Sequence, residues 1–123
     1  MKHSRLVEIA SKVVGETQRK LPANLRDIAR SVPVLFEAAP DKDLLAEGFE
    51  PDLLGLFSGP ALDEETDPGN PMPPQIFLYM ANLWDFSEGD PEAFRDEVRL
   101  TYLHELGHYL GWDEDEVAAR GLE

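Results

Sequence analysis

The stretch that decides the fold is VRLTYLHELGHYLG, residues 98–111, which contains the pattern H-E-x-x-H at His104, Glu105 and His108. Its apolar residues recur with helical periodicity, and two positions four apart on an α-helix lie about 40° apart around the axis and about 6 Å along it. Both imidazoles would then project from one face and could hold one metal ion. Glu105, rotated by about 100°, could reach a water molecule on that ion. The chain has only three histidines, and two of them have this spacing.

This combination predicts a zinc site with two neutral histidine ligands, one carboxylate acting as general base and one open coordination position. Zn²⁺ lowers the pKa of its bound water and polarises a carbonyl group, so Glu105 would take the proton from the water and pass it to a leaving amine. The alternative without a metal site is that both histidines are ordinary surface or core side chains on an amphipathic helix. The pattern, the helical context and the glycine that follows favour the metal site.

A catalytic zinc usually has three protein ligands, so a third must accompany His104 and His108. Gly111 is typical of a left-handed helix cap, and a chain that reverses there would bring the residue three positions later back to the metal. The extended pattern H-E-x-x-H-x-x-G-x-x-E then ends at Glu114, which we favour as the third ligand. Asp113 and Asp115 remain alternatives, as does a water molecule. His3 is a poor candidate because an N-terminal segment is usually mobile.

Other side chains near the pattern could assist it. Tyr102 and Tyr109 could stabilise an oxyanion. Aromatic side chains on a helix mostly pack in the core, however, and we favour core packing for both tyrosines. Thr101 and Glu97 lie one and two turns before His104 on the same helical face and could support the metal ligands.

Composition restricts the class of protein. A chain of 123 residues with 42% apolar and 29% charged residues is typical of a globular protein, and we expect a single domain over residues 1–123. Cysteine is absent, which excludes disulfides and thiolate ligands. The sequence has no apolar run long enough to span a bilayer and no signal-peptide pattern at its start, so we expect a cytoplasmic location and no membrane partner.

The charge is strongly negative and unevenly distributed. The net charge is −14, with +4 on residues 1–30 and −18 on the remainder. An acidic chain repels phosphate backbones, which argues against nucleic acid as a partner. The substrate expected from the predicted metal site is a peptide or protein. The excess could attract cationic peptides, but solubility is the simpler interpretation.

The remaining periodicity predicts a mixture of helices and strands. Asp90 and Pro91 have the residue types of a helix N-cap and first position, so a helix is expected over about 91–110. Gly55 within a predicted strand either weakens that prediction or marks a close backbone approach. The other predicted segments are helices at 5–20, 22–30 and 82–86, strands at 32–37, 53–57 and 75–80, a long loop at 58–74 that could be a flap beside the site, and a last short helix capped by Asp113.

The chain resembles the small bacterial zincin-like metallopeptidases, or minimal zincins, from about Leu21 to Val117. The resemblance rests on LPANLRDI, VPVLFEAAPD, LLGLFSGPAL, PQIFLYM and VRLTYLHELGHYLGWDEDEV, of which the last is the most specific. Members often carry a further histidine directly after the pattern, where this chain has Tyr109.

The resemblance implies a compact zincin core with the metal site on the helix that carries His104, Glu105 and His108. We therefore expect an α+β minimal zincin-like domain, in which a small mixed sheet packs against the N-terminal helix and a long active-site helix. The function expected is that of a zinc-dependent metallopeptidase with Glu105 as base. The alternative is a zincin-fold module that binds zinc or a partner without peptidase activity.

Overall fold

A computed structural model describes residues 1–64, 72–112 and 115 of the chain. These ranges contain five helices and three strands, together with a short 3-10 helix at Leu62–Glu64, which confirms the α+β class. In chain order they are α1 His3–Arg19, α2 Ala23–Arg30, β1 Val34–Glu37, α3 Lys42–Ala46, β2 Gly55–Ser58, β3 Gln75–Tyr79, α4 Met80–Phe86 and α5 Pro91–Tyr109.

The three strands form one mixed sheet in the order β1-β3-β2. β1 pairs in parallel with β3, in the register Val34 to Ile76, and β2 pairs antiparallel to β3, in the register Gly55 to Leu78. β3 is the central strand, and its Ile76 and Leu78 are completely buried. β1 follows Pro33, which an edge strand tolerates because the missing N–H is not needed for pairing there.

α5 is defined at both ends by local signals. At its start the Asp90 side chain accepts a hydrogen bond from the Glu92 N–H at 3.1 Å. Past its end Gly111 has a φ of +77°, its N–H donates to the His108 carbonyl, and the Trp112 N–H donates to the Gly107 carbonyl. This pair of bonds is a Schellman motif, so the predicted left-handed glycine cap is confirmed.

α5 lies between the sheet and α1. On one side Gly55 of β2 approaches it so closely that a Cβ at this position would lie 2.6 Å from Cγ2 of Thr101, which confirms the expected close approach. On the other side the amide of Gln18 in α1 donates a hydrogen bond to the Tyr102 hydroxyl at 3.0 Å. The expected packing is therefore refined, because α1 makes its main contacts with α5, α4 and α2 while the sheet packs on α5.

Helix α1 begins two residues earlier than the periodicity predicted, at His3, so this histidine is helical and does not belong to an irregular tail. Strand β2 lies one to two residues later than predicted, at Gly55–Ser58. Within the described ranges, every helix is too short or too polar to cross a lipid bilayer.

Candidate metal centre

His104 and His108 meet on the exposed side of the last two turns of α5. Their Nε2 atoms are 3.0 Å apart, and their rings are nearly perpendicular, with centroids separated by 4.6 Å. The four-residue spacing produces this convergence because both side chains leave the helix on one face. His104 is half-buried and His108 is exposed, so the point between the two nitrogens is open to solvent.

The two imidazoles fit a zinc ion. Two nitrogens bound to one tetrahedral zinc at about 2.0–2.1 Å would lie about 3.3 Å apart, which is close to the observed 3.0 Å between the Nε2 atoms. The Glu105 carboxylate completes a group of three potential ligand atoms that all lie within 4.8 Å of one another. Within the described part of the chain this group could hold a metal ion.

Glu105 is buried, and its position is set by a strand rather than by its own helix. Its Oε1 accepts a hydrogen bond from the backbone N–H of Phe57 in β2 at 2.9 Å. Burial raises the pKa of the Glu105 carboxyl, while the positive charge that His108 and His104 can carry and the Phe57 N–H act in the opposite direction. The structure therefore holds one fixed, largely dehydrated carboxyl group beside the paired imidazoles.

Phe57 was not identified from the sequence as part of this arrangement. Its contribution is a backbone N–H, which any residue but proline could provide, and it lies 48 positions before Glu105. The one signal was Gly55, because the close approach at that glycine brings β2 against α5. Sequence reasoning located that approach without relating it to the carboxylate.

The favoured third ligand, Glu114, and its rival Asp113 both lie outside the described residues, so the expected capping role of Asp113 does too. Asp115 is described as helical and exposed, and it is not part of the group formed by the two histidines and Glu105. His3 is likewise exposed and outside that group. Residues 65–71 of the predicted flap are also outside the described ranges.

The two tyrosines of the motif helix pack as expected. Tyr102 is completely buried, and its hydroxyl accepts the hydrogen bond from Gln18 on the α1 side of the helix. Tyr109 is 2% exposed, and its ring packs against Phe57 with centroids 5.7 Å apart. Thr101 is buried against β2, whereas Glu97 is only half-buried.

The candidate centre lies beside the edge of β2 that faces away from β3. The Tyr79 N–H donates to the Leu54 carbonyl, so these two residues form a hydrogen-bonded pair. Hydrogen-bonded and non-hydrogen-bonded pairs alternate along an antiparallel ladder, and Gly55 and Phe57 therefore direct their backbone N–H and C=O groups away from β3. The Phe57 N–H bonded to Glu105 marks the point where this edge meets the imidazoles.

Two cavities flank Glu105 along this edge. One, of about 550 Å³, is lined mainly by apolar residues, among them Leu53, Leu54 and Leu100, and extends to His104. The other, of about 380 Å³, is lined by both apolar and charged residues, includes the small residues Gly59 and Ala61, and extends to His108. A chain lying along β2 would therefore have space on either side of the Glu105 carboxylate.

The family model described as "Zincin-like metallopeptidase" matches residues 29–122, which include both imidazoles and Glu105. No curated protein matches the chain.

Proposed function

The chain belongs to the zincin-like metallopeptidase family, and from this membership we propose that it is a zinc-dependent peptidase with Glu105 as general base. The observation that carries the proposal is the convergence of two imidazole nitrogens, 3.0 Å apart, beside a buried carboxylate at the outer edge of β2. A site that only stores zinc would need neither the carboxylate nor the open edge.

His104 and His108 would hold the metal, and Glu114 is proposed as the third ligand. Bound zinc supplies Lewis-acid chemistry, since it polarises a carbonyl and lowers the pKa of water. Glu105 accepts a proton from the attacking water and delivers it to the leaving nitrogen of the peptide bond. The Phe57 N–H keeps the Glu105 carboxylate aimed during this transfer, because it fixes one of its two oxygens.

An extended peptide is the substrate that the surroundings favour. A strand edge with unpaired polar groups can accept a further strand by main-chain hydrogen bonds, and alternate side chains then enter pockets beside the edge. Apart from the Phe57 N–H, which is bonded to Glu105, the outer edge of β2 has no strand paired with it among the described residues. The cavities on either side of Glu105 would accept the side chains that flank the cleaved bond. We also propose that the protein acts in the cytoplasm on peptides or proteins, without a nucleic-acid or membrane partner.

The test compares zinc-loaded wild-type protein with Glu105→Gln on a peptide library, with cleavage detected by mass spectrometry. The substitution removes the base but keeps an oxygen that can accept from the Phe57 N–H, so we expect metal content and fold to persist. Turnover should fall by about 10²–10⁴-fold.

The matched control is Glu92→Gln, which makes the same chemical change in the exposed first turn of α5. It should retain full turnover. Equal activity in Glu105→Gln and wild type would exclude the proposed mechanism. A wild-type protein that binds zinc but cleaves no library peptide would instead indicate the zincin-fold binding module.

A further inference from the structure

A groove runs along α1 beside the part of α5 between Arg95 and Leu103, and the candidate metal centre makes no use of it. It consists of two cavities of about 380 and 250 Å³ that share Val13, Glu16 and Arg95 in their linings. The floor of the larger cavity is apolar and contains Val13, Leu21 and Leu103. The groove therefore offers a hydrophobic surface in a part of the molecule where the helices do not close on each other.

Three of the basic side chains that line the groove have no ion-pair partner among the residues that the structure describes. Lys20, Arg95 and Arg99 line the larger cavity, and none of them forms an ion pair or a side-chain hydrogen bond with any residue that the structure describes. Arg5 and Lys12 line the smaller cavity and are paired with Glu8, at 2.8 and 3.6 Å. The basic side chains without an ion-pair partner among the described residues thus line the larger cavity.

The charge of the groove is opposite to that of the protein around it. The linings contain five basic and two acidic residues, a net charge of +3, while the rest of the chain has six basic and 23 acidic residues, a net charge of −17. Clefts lined by one sign of charge concentrate the field and attract ligands of the opposite sign. A long negatively charged ligand would extend beyond the groove and meet the negative charge around it. The groove therefore favours a ligand that is short or partly apolar.

We propose that this groove binds an acidic segment of a partner protein, with glutamate or aspartate on the basic rim and apolar side chains on the floor. A nucleic acid would place a continuous phosphate backbone against the surrounding negative charge, and its backbone has no group for the apolar floor. Along α1 the groove runs from Arg5 to Lys20, about 22 Å, which corresponds to roughly seven residues of extended chain.

A partner in the groove would leave the metal centre free. Leu103 lines the groove and Glu105 belongs to the metal centre, and positions two apart on a helix differ by about 200° around its axis. The two surfaces therefore lie on opposite sides of α5. Docking at one and chemistry at the other can take place at the same time.

The test is binding of a fluorescein-labelled octapeptide of alternating glutamate and leucine, followed by fluorescence anisotropy. Wild-type protein should bind it saturably at low ionic strength and release it as salt is raised, because exposed charges are screened. The same peptide with glutamine in place of glutamate should not bind. The readout is binding, so wild-type protein freed of metal by a chelator should bind the peptide in the same way, whether or not the chain cleaves peptides.

Charge reversal locates the site. The double variant Arg95→Glu/Arg99→Glu should bind the acidic peptide about tenfold more weakly or worse, and Lys20→Glu, an exposed change on the other helix, should weaken it in the same direction. The control Arg30→Glu/Lys42→Glu makes the same change in net charge at exposed residues outside the groove and should stay within about twofold of wild type.

Three results would overturn the proposal. The first is that wild type does not bind the acidic peptide saturably. The second is that the control variant loses as much binding as the charge-reversed groove variant. The third is that wild type binds a single-stranded octanucleotide at least as tightly as the peptide. The last result would mean that the groove recognises phosphate.

Discussion

Glu105 is a buried carboxyl group, and its burial has an effect on stability that is separate from catalysis. Because burial raises its pKa in the folded protein, the folded state holds the proton more firmly than the unfolded state does. The stabilisation from that proton is complete below the ordinary carboxyl value of 4.5 and is lost as pH rises through the raised value. Above that range the metal-free protein has lost this stabilisation.

We expect metal-free Glu105→Gln to have a higher unfolding midpoint than metal-free wild type at neutral pH, since glutamine is neutral and can still accept from the Phe57 N–H. The difference should shrink as pH is lowered towards 4.5, where wild type becomes neutral too. Thermal melts in the presence of a chelator at several pH values measure it. The exposed Glu50→Gln makes the same chemical change away from the centre and serves as control. A lower midpoint for Glu105→Gln at neutral pH would contradict the argument.

At the scale of single residues, sequence reasoning succeeded where the geometry is local. His104, Glu105 and His108 belong to one helix, and helical geometry alone places the imidazoles together. The Phe57 N–H could not be predicted in the same way, because its position depends on how β2 packs against α5. The grouping of these three side chains could thus be predicted from the sequence, and the hydrogen bond that supports the Glu105 carboxylate could not.

At the scale of elements, the contact between β2 and α5 positions the edge beside the imidazoles. Gly55→Ala would place a Cβ 2.6 Å from Thr101 Cγ2 and 3.1 Å from the Phe77 carbonyl oxygen. One of the two elements must then shift, and overpacking of this kind lowers the free energy of unfolding by about 1–3 kcal/mol. Denaturant unfolding of the two proteins measures the loss.

Thr101→Ser removes the Cγ2 atom that the new Cβ would meet, so it provides a rescue. The double variant Gly55→Ala/Thr101→Ser should lose less stability than the two single variants lose together, because the residues are in contact. The rescue should be partial, since the Phe77 carbonyl remains. Strictly additive losses would show that the Gly55–Thr101 contact does not set the spacing of β2 and α5.

The same contact explains which element boundaries could be predicted. α5 begins where Asp90 and Pro91 indicated, because caps are local signals. β2 was expected at 53–57 and lies at Gly55–Ser58, because the ends of a strand depend on its pairing with β3 and not on its own composition.

At the scale of the whole molecule, a ligand that binds only the folded state stabilises it, and the imidazole pair exists only there. Zinc at 100 times its dissociation constant should raise the free energy of unfolding by about 2.7 kcal/mol, and a chelator should reverse the effect. His108→Ala should abolish this shift. His3→Ala removes the histidine outside the group and should retain it. A zinc-dependent shift of equal size in both variants would place the metal elsewhere.

The charge distribution shows the same division between local and global information. The basic excess over residues 1–30 was evident from the sequence, but its meeting with Arg95 and Arg99 across a groove depends on the packing of α1 against α5.

Nine of the 19 residues of α5 are buried, and seven of these nine lie between Thr101 and Tyr109. Packing therefore restricts the substitutions that this segment can accept, whatever its chemical role. In a saturation library scored only for folding, we would expect it to be among the least permissive parts of the chain. His108, which is exposed, should accept most substitutions in that library. Tolerance for folding combined with intolerance for activity would then distinguish a functional position from a packed one.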